Sequence, residues 1–417
     1  MGSNVVIVPD GSLAFESPIS NAYERWIRPN GIVIGGHLQL GLEALIVPTK
    51  RRGRIVYWKI LEVRPHTGIP NPYLVAPAFV NAHSHLEYRG MLDKISHPNY
   101  FEWIWELTRM KREESSVDVQ QACQLAAQEN FRSGVAWIGE HSDRVGAAEE
   151  LARLGIGGWV FQEMLDAFDE NPDERHKLVH EKLEMNRQWF PSISVSAHAA
   201  HTVLESTLSE LALHDLPLSI HVNETVLENE FFVQGSGQIA ESRRQLGLPV
   251  RVNGMRVIPY LDSLGLLGER TQIVHACDLT GEDIQLLAKT QTSVVHCPRS
   301  NERLRCPKSP VRELLIAGVN VGLGLDSPAS GGVIDMFAEM RAAYALGGER
   351  GRPLHADEVW NMANDGGYQS FGQPVGVWNF EVGAEIPLLE LHLPGLRTTE
   401  DLIEHGTPDC IEWLSAS

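Results

Sequence analysis

The sequence predicts an α/β fold, a (β/α)8 TIM-type barrel joined to a small β-sandwich-like domain built from both chain ends. Between about residues 72 and 326, eight short apolar runs bounded by turn residues alternate with longer stretches of helical spacing. Strands covered by helices on one face and by a barrel interior on the other read as nearly continuous apolar segments. Outside that region the pattern changes to short strand-like runs without intervening helices. A length of 417 residues suits a barrel of roughly 200 to 300 residues with additions.

The eight runs are Tyr73–Val80, Gly134–Gly139, Ile156–Glu163, Ser192–His198, Pro217–Val222, Gln272–Ala276, Thr292–Cys297 and Gly318–Leu325. They place the barrel at residues 71–367. The runs Ile32–Ile34, Leu42–Val47 and Arg54–Ile60, with Val375–Phe380 and Glu385–Leu391 in the tail, assign residues 1–70 and 368–417 to the small β-domain. Two connections exceed the usual few residues. One follows His85 and runs through Trp103 and Trp105 to Phe131, and the other spans Thr225 to Thr271. Both leave strand ends where the wall of an active site would be built.

Composition narrows the function. A 43% hydrophobic and 21% charged chain is ordinary globular material, with no run near the roughly 20 apolar residues that a membrane helix needs. The net charge of -19 repels a phosphate backbone, so nucleic acid is not an expected partner. Five scattered cysteines form no C-x-x-C pair, and Met1–Asp10 has no signal-peptide pattern, so a reducing cytoplasm is the expected setting.

The chemistry sits at strand ends. His83 and His85 are two apart on the first strand and share a face, which lets both reach one metal. His198, His221, His275 and Asp326 close the fourth, fifth, sixth and eighth strands, and in a barrel those ends form one ring. Three imidazoles and a carboxylate suit Zn²⁺, and also Fe²⁺, with a position left for water. Glu224, three residues beyond His221, can reach that water without displacing a ligand. Of the weaker features, Gly322-Leu323-Gly324 lacks the third glycine of a dinucleotide fingerprint and reads as a strand approaching Asp326. Cys277 reads as an apolar filler, Trp103 and Trp105 as helix packing, and Arg89 equally as an anion contact or a structural ion pair.

The segments PAFVNAHSHLEYRG, VSAHAAHTV, LSIHVNET, IVHACDLTGEDI, VVHCPRSN and VGLGLDSPAS resemble, in order, successive motifs of the amidohydrolase superfamily. Within it the chain looks most like the mononuclear deaminase and chlorohydrolase group, which includes aminodeoxyfutalosine, S-adenosylhomocysteine, guanine and cytosine deaminases. Carried over, the resemblance makes His83, His85, His221 and Asp326 the ligands of one divalent metal, Zn²⁺ foremost and Fe²⁺ next. Glu224 becomes the acid-base residue, His275 and Asp326 the groups beside the attacking water, and His198 a substrate contact. Binuclear members use a carboxylated lysine at the end of strand four, and residues 192–201 contain none. The chain departs from the group at Ala200-His201, at Cys306-Pro307 and at Gly383-Ala384-Glu385.

The resulting expectation is hydrolytic deamination of an amino-substituted heterocycle, favouring a 6-aminopurine nucleoside such as aminodeoxyfutalosine, with Arg89, His201 and Arg299 available to its polar substituent. Free-base deamination of guanine, cytosine or pterin type, chloride or cyclic-amide hydrolysis, and a silent barrel are the alternatives. A homodimer is compatible with the sequence. No G-x-S-x-G, H-E-x-x-H or Walker A motif competes.

Overall fold

The computed structural model describes residues 16–19, 23–97, 99–349 and 353–416. The reading of Met1–Asp10 falls outside them. Eight parallel strands form the barrel: β1 Phe79–Ser84, β2 Val135–Ser142, β3 Gly157–Met164, β4 Ile193–Ala199, β5 Leu218–Val222, β6 Thr271–His275, β7 Ser293–His296 and β8 Val321–Leu323. They pair in chain order from β1 to β8. Closure between β8 and β1 comes from a bridge joining Ser84 to Asp326, with the Asp326 amide donating to the His83 carbonyl at 2.9 Å. The seam of the barrel therefore runs through the candidate ligands themselves.

The interior explains the glycines of the last strand. A Cβ on Gly324 would stand 2.7 Å from the His83 Cβ and 3.0 Å from the Cys297 Sγ, so only glycine lets β8 approach β1 there. Gln272 bridges the interior, donating to the Ala82 carbonyl and to the Ser219 hydroxyl. These contacts fix the strand ends rigidly enough to aim side chains at one point.

A second, nine-stranded sheet joins the two ends of the described chain. Its main path orders the strands Glu16–Pro18, Leu42–Arg52, Ile55–Pro65, Glu385–Leu391, Asn71–Pro77, Pro29–Ile34 and His37–Leu40. Strand Glu385–Leu391 pairs first with Ile55–Pro65 through Glu385–Pro387, then with Asn71–Pro77 through Leu388–Leu391. One strand thus stitches the two halves of the sheet together.

Two sequence expectations change. The run Tyr73–Val80 is divided: residues up to Pro77 belong to the terminal sheet, and the barrel strand starts at Phe79. The run is apolar on both sides of the break because each half is buried in a different sheet, so hydropathy does not mark the boundary. Val375–Phe380 is a turn and not a strand. The Asp365 carboxylate accepts from the Gly376 and Trp378 amides, and the Trp378 ring packs on Trp137 and Tyr368.

The long connection after His85 forms a 3-10 turn at Leu86–Met91 and helices Tyr100–Glu113 and Ser116–Arg132. Trp103 packs into a small core with Tyr88, Met91, Ile95, Leu107, Leu304 and Ala329, whereas Trp105 is exposed. The connection from Thr225 to Thr271 folds as helices Val226–Gln234, Gly237–Gln245 and Val257–Ser263. No described helix is long and apolar enough to cross a membrane.

Candidate active site

His83, His85 and His221 converge at the carboxyl end of the barrel, their ligand atoms all within 4.8 Å of one another. The Nε2 atoms of His83 and His221 are 3.2 Å apart, and Asp326 Oδ1 lies 3.6 Å from His83 Nε2 and 3.7 Å from His85 Nε2. All four side chains are buried. Burial pushes the three imidazoles below their ordinary range, which keeps them neutral with lone pairs available. His221 Nδ1 donates to the His198 carbonyl at 2.6 Å, so its Nε2 faces the cluster as an acceptor. Asp326 Oδ2 accepts from the Ser300 and Ser330 hydroxyls, leaving Oδ1 toward the histidines. Neutral nitrogens and a carboxylate oxygen aimed at one point, without a cationic side chain among them, are a donor set that fits a divalent ion.

Glu224 lies on the turn after β5. That turn is held by Glu228, which accepts from the Asn223 and Glu224 amides at 3.0 and 2.8 Å. Glu224 Oε1 is 3.7 Å from His275 Nε2, and Oε2 accepts from the Tyr100 hydroxyl at 2.8 Å. Tyr100 opens its helix behind Asn99, whose side chain accepts from the Phe101 and Glu102 amides and so sets where that helix begins. Burial moves the Glu224 carboxyl upward, toward the range useful for proton transfer near neutral pH. On its other side, His275 Nδ1 donates to Asn301 Oδ1 at 2.8 Å, which turns the Nε2 lone pair toward Glu224.

Asn223, His275 and Asp326 adopt positive φ, at 52°, 75° and 54°. None is glycine, and such conformations cost on the order of 1–3 kcal/mol each. Their concentration at three strand ends is the backbone counterpart of the side-chain convergence.

The remaining sequence candidates separate. His198 stays beside the cluster, its ring 5.0 Å from His221 and its Nδ1 3.0 Å from the Thr202 hydroxyl. His201 makes no ring contact with the cluster among the described residues, and its carbonyl accepts from Arg243. Arg89 is engaged by Glu129 in a two-pronged ion pair with both contacts at 2.7 Å, so its structural reading accounts for the side chain. Arg299 donates to the Val333 carbonyl and lies 3.7 Å from Glu339. Cys277 is buried and its thiol is pushed well above its usual range by burial, as suits a filler.

Sequence reasoning missed several neighbours. His141, on β2, is fully buried with its ring 4.2 Å from that of His83. The apolar run that marked this strand stops at Gly139, three residues short, because Glu140, His141 and Ser142 are polar. Glu140 accepts from the Leu86 amide and the Ser142 hydroxyl, and Glu163 lies one residue before the end of β3. Tyr100 and Asn301 come from connecting segments, where spacing gives no side-chain direction. A further acidic group, Glu390, His392 and Glu412, lies in the terminal sheet, partly exposed, with His392 3.4 Å from Glu412.

Comparison with known proteins identifies the family. A 5-methylthioadenosine/S-adenosylhomocysteine deaminase from Haloarcula marismortui is 30% identical over 350 residues, covering 80% of this chain and 76% of its own. An aminodeoxyfutalosine deaminase from Deinococcus radiodurans is 33% identical over 293 residues, covering 66% of this chain and 68% of its own. Among solved structures, an adenosine deaminase from Xanthomonas campestris with bound zinc has a TM-score of 0.76 at 23% identity, covering 94% of this chain and 91% of its own. That last likeness is one of fold. The match to the Amidohydrolase family extends over residues 74–385, from the strand that precedes the barrel to the strand that stitches the terminal sheet, and the chain belongs to that family.

Proposed function

We propose that the protein is a hydrolytic deaminase of 6-aminopurine nucleosides, aminodeoxyfutalosine among them, and that His83, His85, His221 and Asp326 hold one divalent ion. Zn²⁺ is the preferred ion and Fe²⁺ its competitor for this donor set. A divalent ion held there supplies the Lewis acidity that makes water a nucleophile near neutral pH. The absence of lysine from β4, Ile193–Ala199, supports a single ion.

The observation that carries the reading is the pairing of Glu224 with His275 beside that donor set, 3.7 Å apart. Glu224 takes a proton from the attacking water and returns it to the amino nitrogen, so that ammonia leaves as the ring carbon becomes a carbonyl. His275, its tautomer set by Asn301, accepts from the same water and holds it against the ring face. Asp326, steadied by Ser300 and Ser330, keeps its free oxygen on the reacting side. His198, with its ring beside His221, touches the bound ring in this reading. The relatives named above as deaminases of adenosine-type compounds support a nucleoside over a free base.

Ammonia release from metal-replete protein, with a panel of nucleosides and free bases, tests this. We expect kcat/KM for the 6-aminopurine nucleosides to exceed that for adenine, guanine and cytosine, because contacts to the sugar position the reacting carbon. A free base turned over faster than every nucleoside refutes the nucleoside assignment. Chloride released from a halogenated ring with no ammonia from any amino compound refutes deamination altogether.

A further inference from the structure

One buried acid at the barrel mouth has no role in the account above. Glu163, the penultimate residue of β3, is 2% exposed, and its Oε1 has no hydrogen-bond partner. Among the described residues no ion pair reaches it. Lys111, the nearby ammonium, is committed to the Tyr88 hydroxyl at 3.1 Å and to Asp143 at 2.7 Å. A buried carboxyl oxygen without a partner is costly, and native structures keep such a group where something else supplies the missing bond.

The ligand atoms of Glu163, His198 and His221 lie within 4.8 Å of one another, so a second metal site is the first explanation to consider. His221 argues against it. A neutral imidazole has one free lone pair, and because His221 Nδ1 donates to the His198 carbonyl, that lone pair is on Nε2, 3.2 Å from His83 Nε2. It cannot serve two ions. Glu163 and His198 are then left side by side at the mouth, one on β3 and one on the adjoining β4, next to the place where the reacting ring must lie.

We propose that Glu163 is a substrate-contact residue that hydrogen-bonds the bound nucleoside beside His198 and so contributes to specificity. The proposal rests on the deaminase reading. The group it meets is a polar edge of the nucleoside, either a ribose hydroxyl or a purine ring nitrogen, since a carboxyl oxygen this close to the metal-binding residues can reach only the ring and the sugar attached to it.

The test replaces Glu163 with leucine, which keeps bulk and removes the polar atoms, and with glutamine, which restores a donor and an acceptor. Metal content, kcat/KM for adenosine, and calorimetric binding of inosine, the corresponding deaminated product, are measured on metal-replete protein. Glu163→Leu is expected to keep its metal, to bind inosine at least about tenfold more weakly and to lose kcat/KM in proportion, and Glu163→Gln to recover most of both. Glu163→Ala stands in if the leucine variant does not fold. With wild-type protein, 2′-deoxyinosine and 3′-deoxyinosine report a ribose contact, and 3-deazainosine and 7-deazainosine a ring contact. The analogue lacking the contacted group should bind equally well to wild type and to Glu163→Leu. Unchanged inosine binding in the apolar variants overturns the proposal, as does loss of the metal from them, which would make Glu163 a ligand. The deaminase reading is tested separately by wild-type ammonia release: wild type that binds inosine but releases no ammonia refutes that reading while the Glu163 contact is still measured.

Discussion

Replacing Tyr100 with phenylalanine deletes one hydroxyl and leaves the ring to fill the same space. That hydroxyl donates to Glu224 Oε2 at 2.8 Å, and burial holds the phenol well above its usual range, so it remains a donor throughout the working pH range. A hydrogen bond to a charged group contributes about 1.5–3 kcal/mol, which corresponds to a roughly 10- to 100-fold fall in kcat if the bond orients Glu224 during proton transfer. The sign of the pH effect follows from the same contact. Tyr100 favours the ionised carboxylate, and burial opposes it. Without the hydroxyl, burial acts with less opposition, the carboxyl moves further up, and the acid limb of kcat/KM shifts to higher pH. Ammonia release as a function of pH, with metal content measured on the same samples, reads both effects. A Tyr100→Phe enzyme with full metal, kcat within about twofold of wild type and an unmoved acid limb would show that the contact is packing and not catalytic support.

Other expectations follow from neighbouring contacts. Glu224→Gln should keep its metal and lose at least roughly 10²-fold in kcat, as the amide preserves shape without a transferable proton; wild-type turnover in the metal-replete variant refutes the role. His221→Ala should weaken metal retention during dialysis against a chelator, and wild-type retention would remove it from the ligand set. Burial, aided by the Arg243 charge, lowers His201 to about 4, below the ordinary value of 6.5. Because the folded state resists protonating it, stability is full above about pH 6.5 and declines as pH falls toward 4, by roughly 3 kcal/mol at most. Denaturant midpoints compared between wild type and His201→Asn across that window should differ in slope, and parallel curves would contradict the shift.

What the sequence disclosed follows from where side chains are anchored. His83, His85, His221, His275 and Asp326 sit at or next to strand ends, and a barrel brings those ends together whatever the loops do. Glu224 was legible for the same reason, being fixed by a turn only three residues beyond His221. Glu163 closed an apolar run and could have been flagged by the rule that found the histidines, but a lone carboxylate after a strand is also an ordinary solvated turn. His141 was hidden because its strand continues into polar residues. Tyr100 was out of reach in principle, since a helix in a long connection can present any face until its packing is known; Asn301 lay inside the quoted VVHCPRSN segment, but only the packing of its short helix turns it toward His275. Arg89 was left between an anion contact and a structural ion pair because its partner Glu129 is 40 positions away on another helix, and no local pattern announces such a pair.

The strand Glu385–Leu391 has a consequence for how the molecule comes into being. Its two neighbours, Ile55–Pro65 and Asn71–Pro77, are made early, and each must keep an unpaired edge until more than three hundred further residues have left the ribosome. Pairings so distant along the chain close slowly, and exposed edges invite association in the meantime. The barrel strands, closure of β8 onto β1 apart, each find their neighbour in the next unit synthesised. Truncation before residue 385 should therefore leave the catalytic residues encoded and the barrel capable of nucleating, yet yield a protein that aggregates during expression through its unfinished sheet.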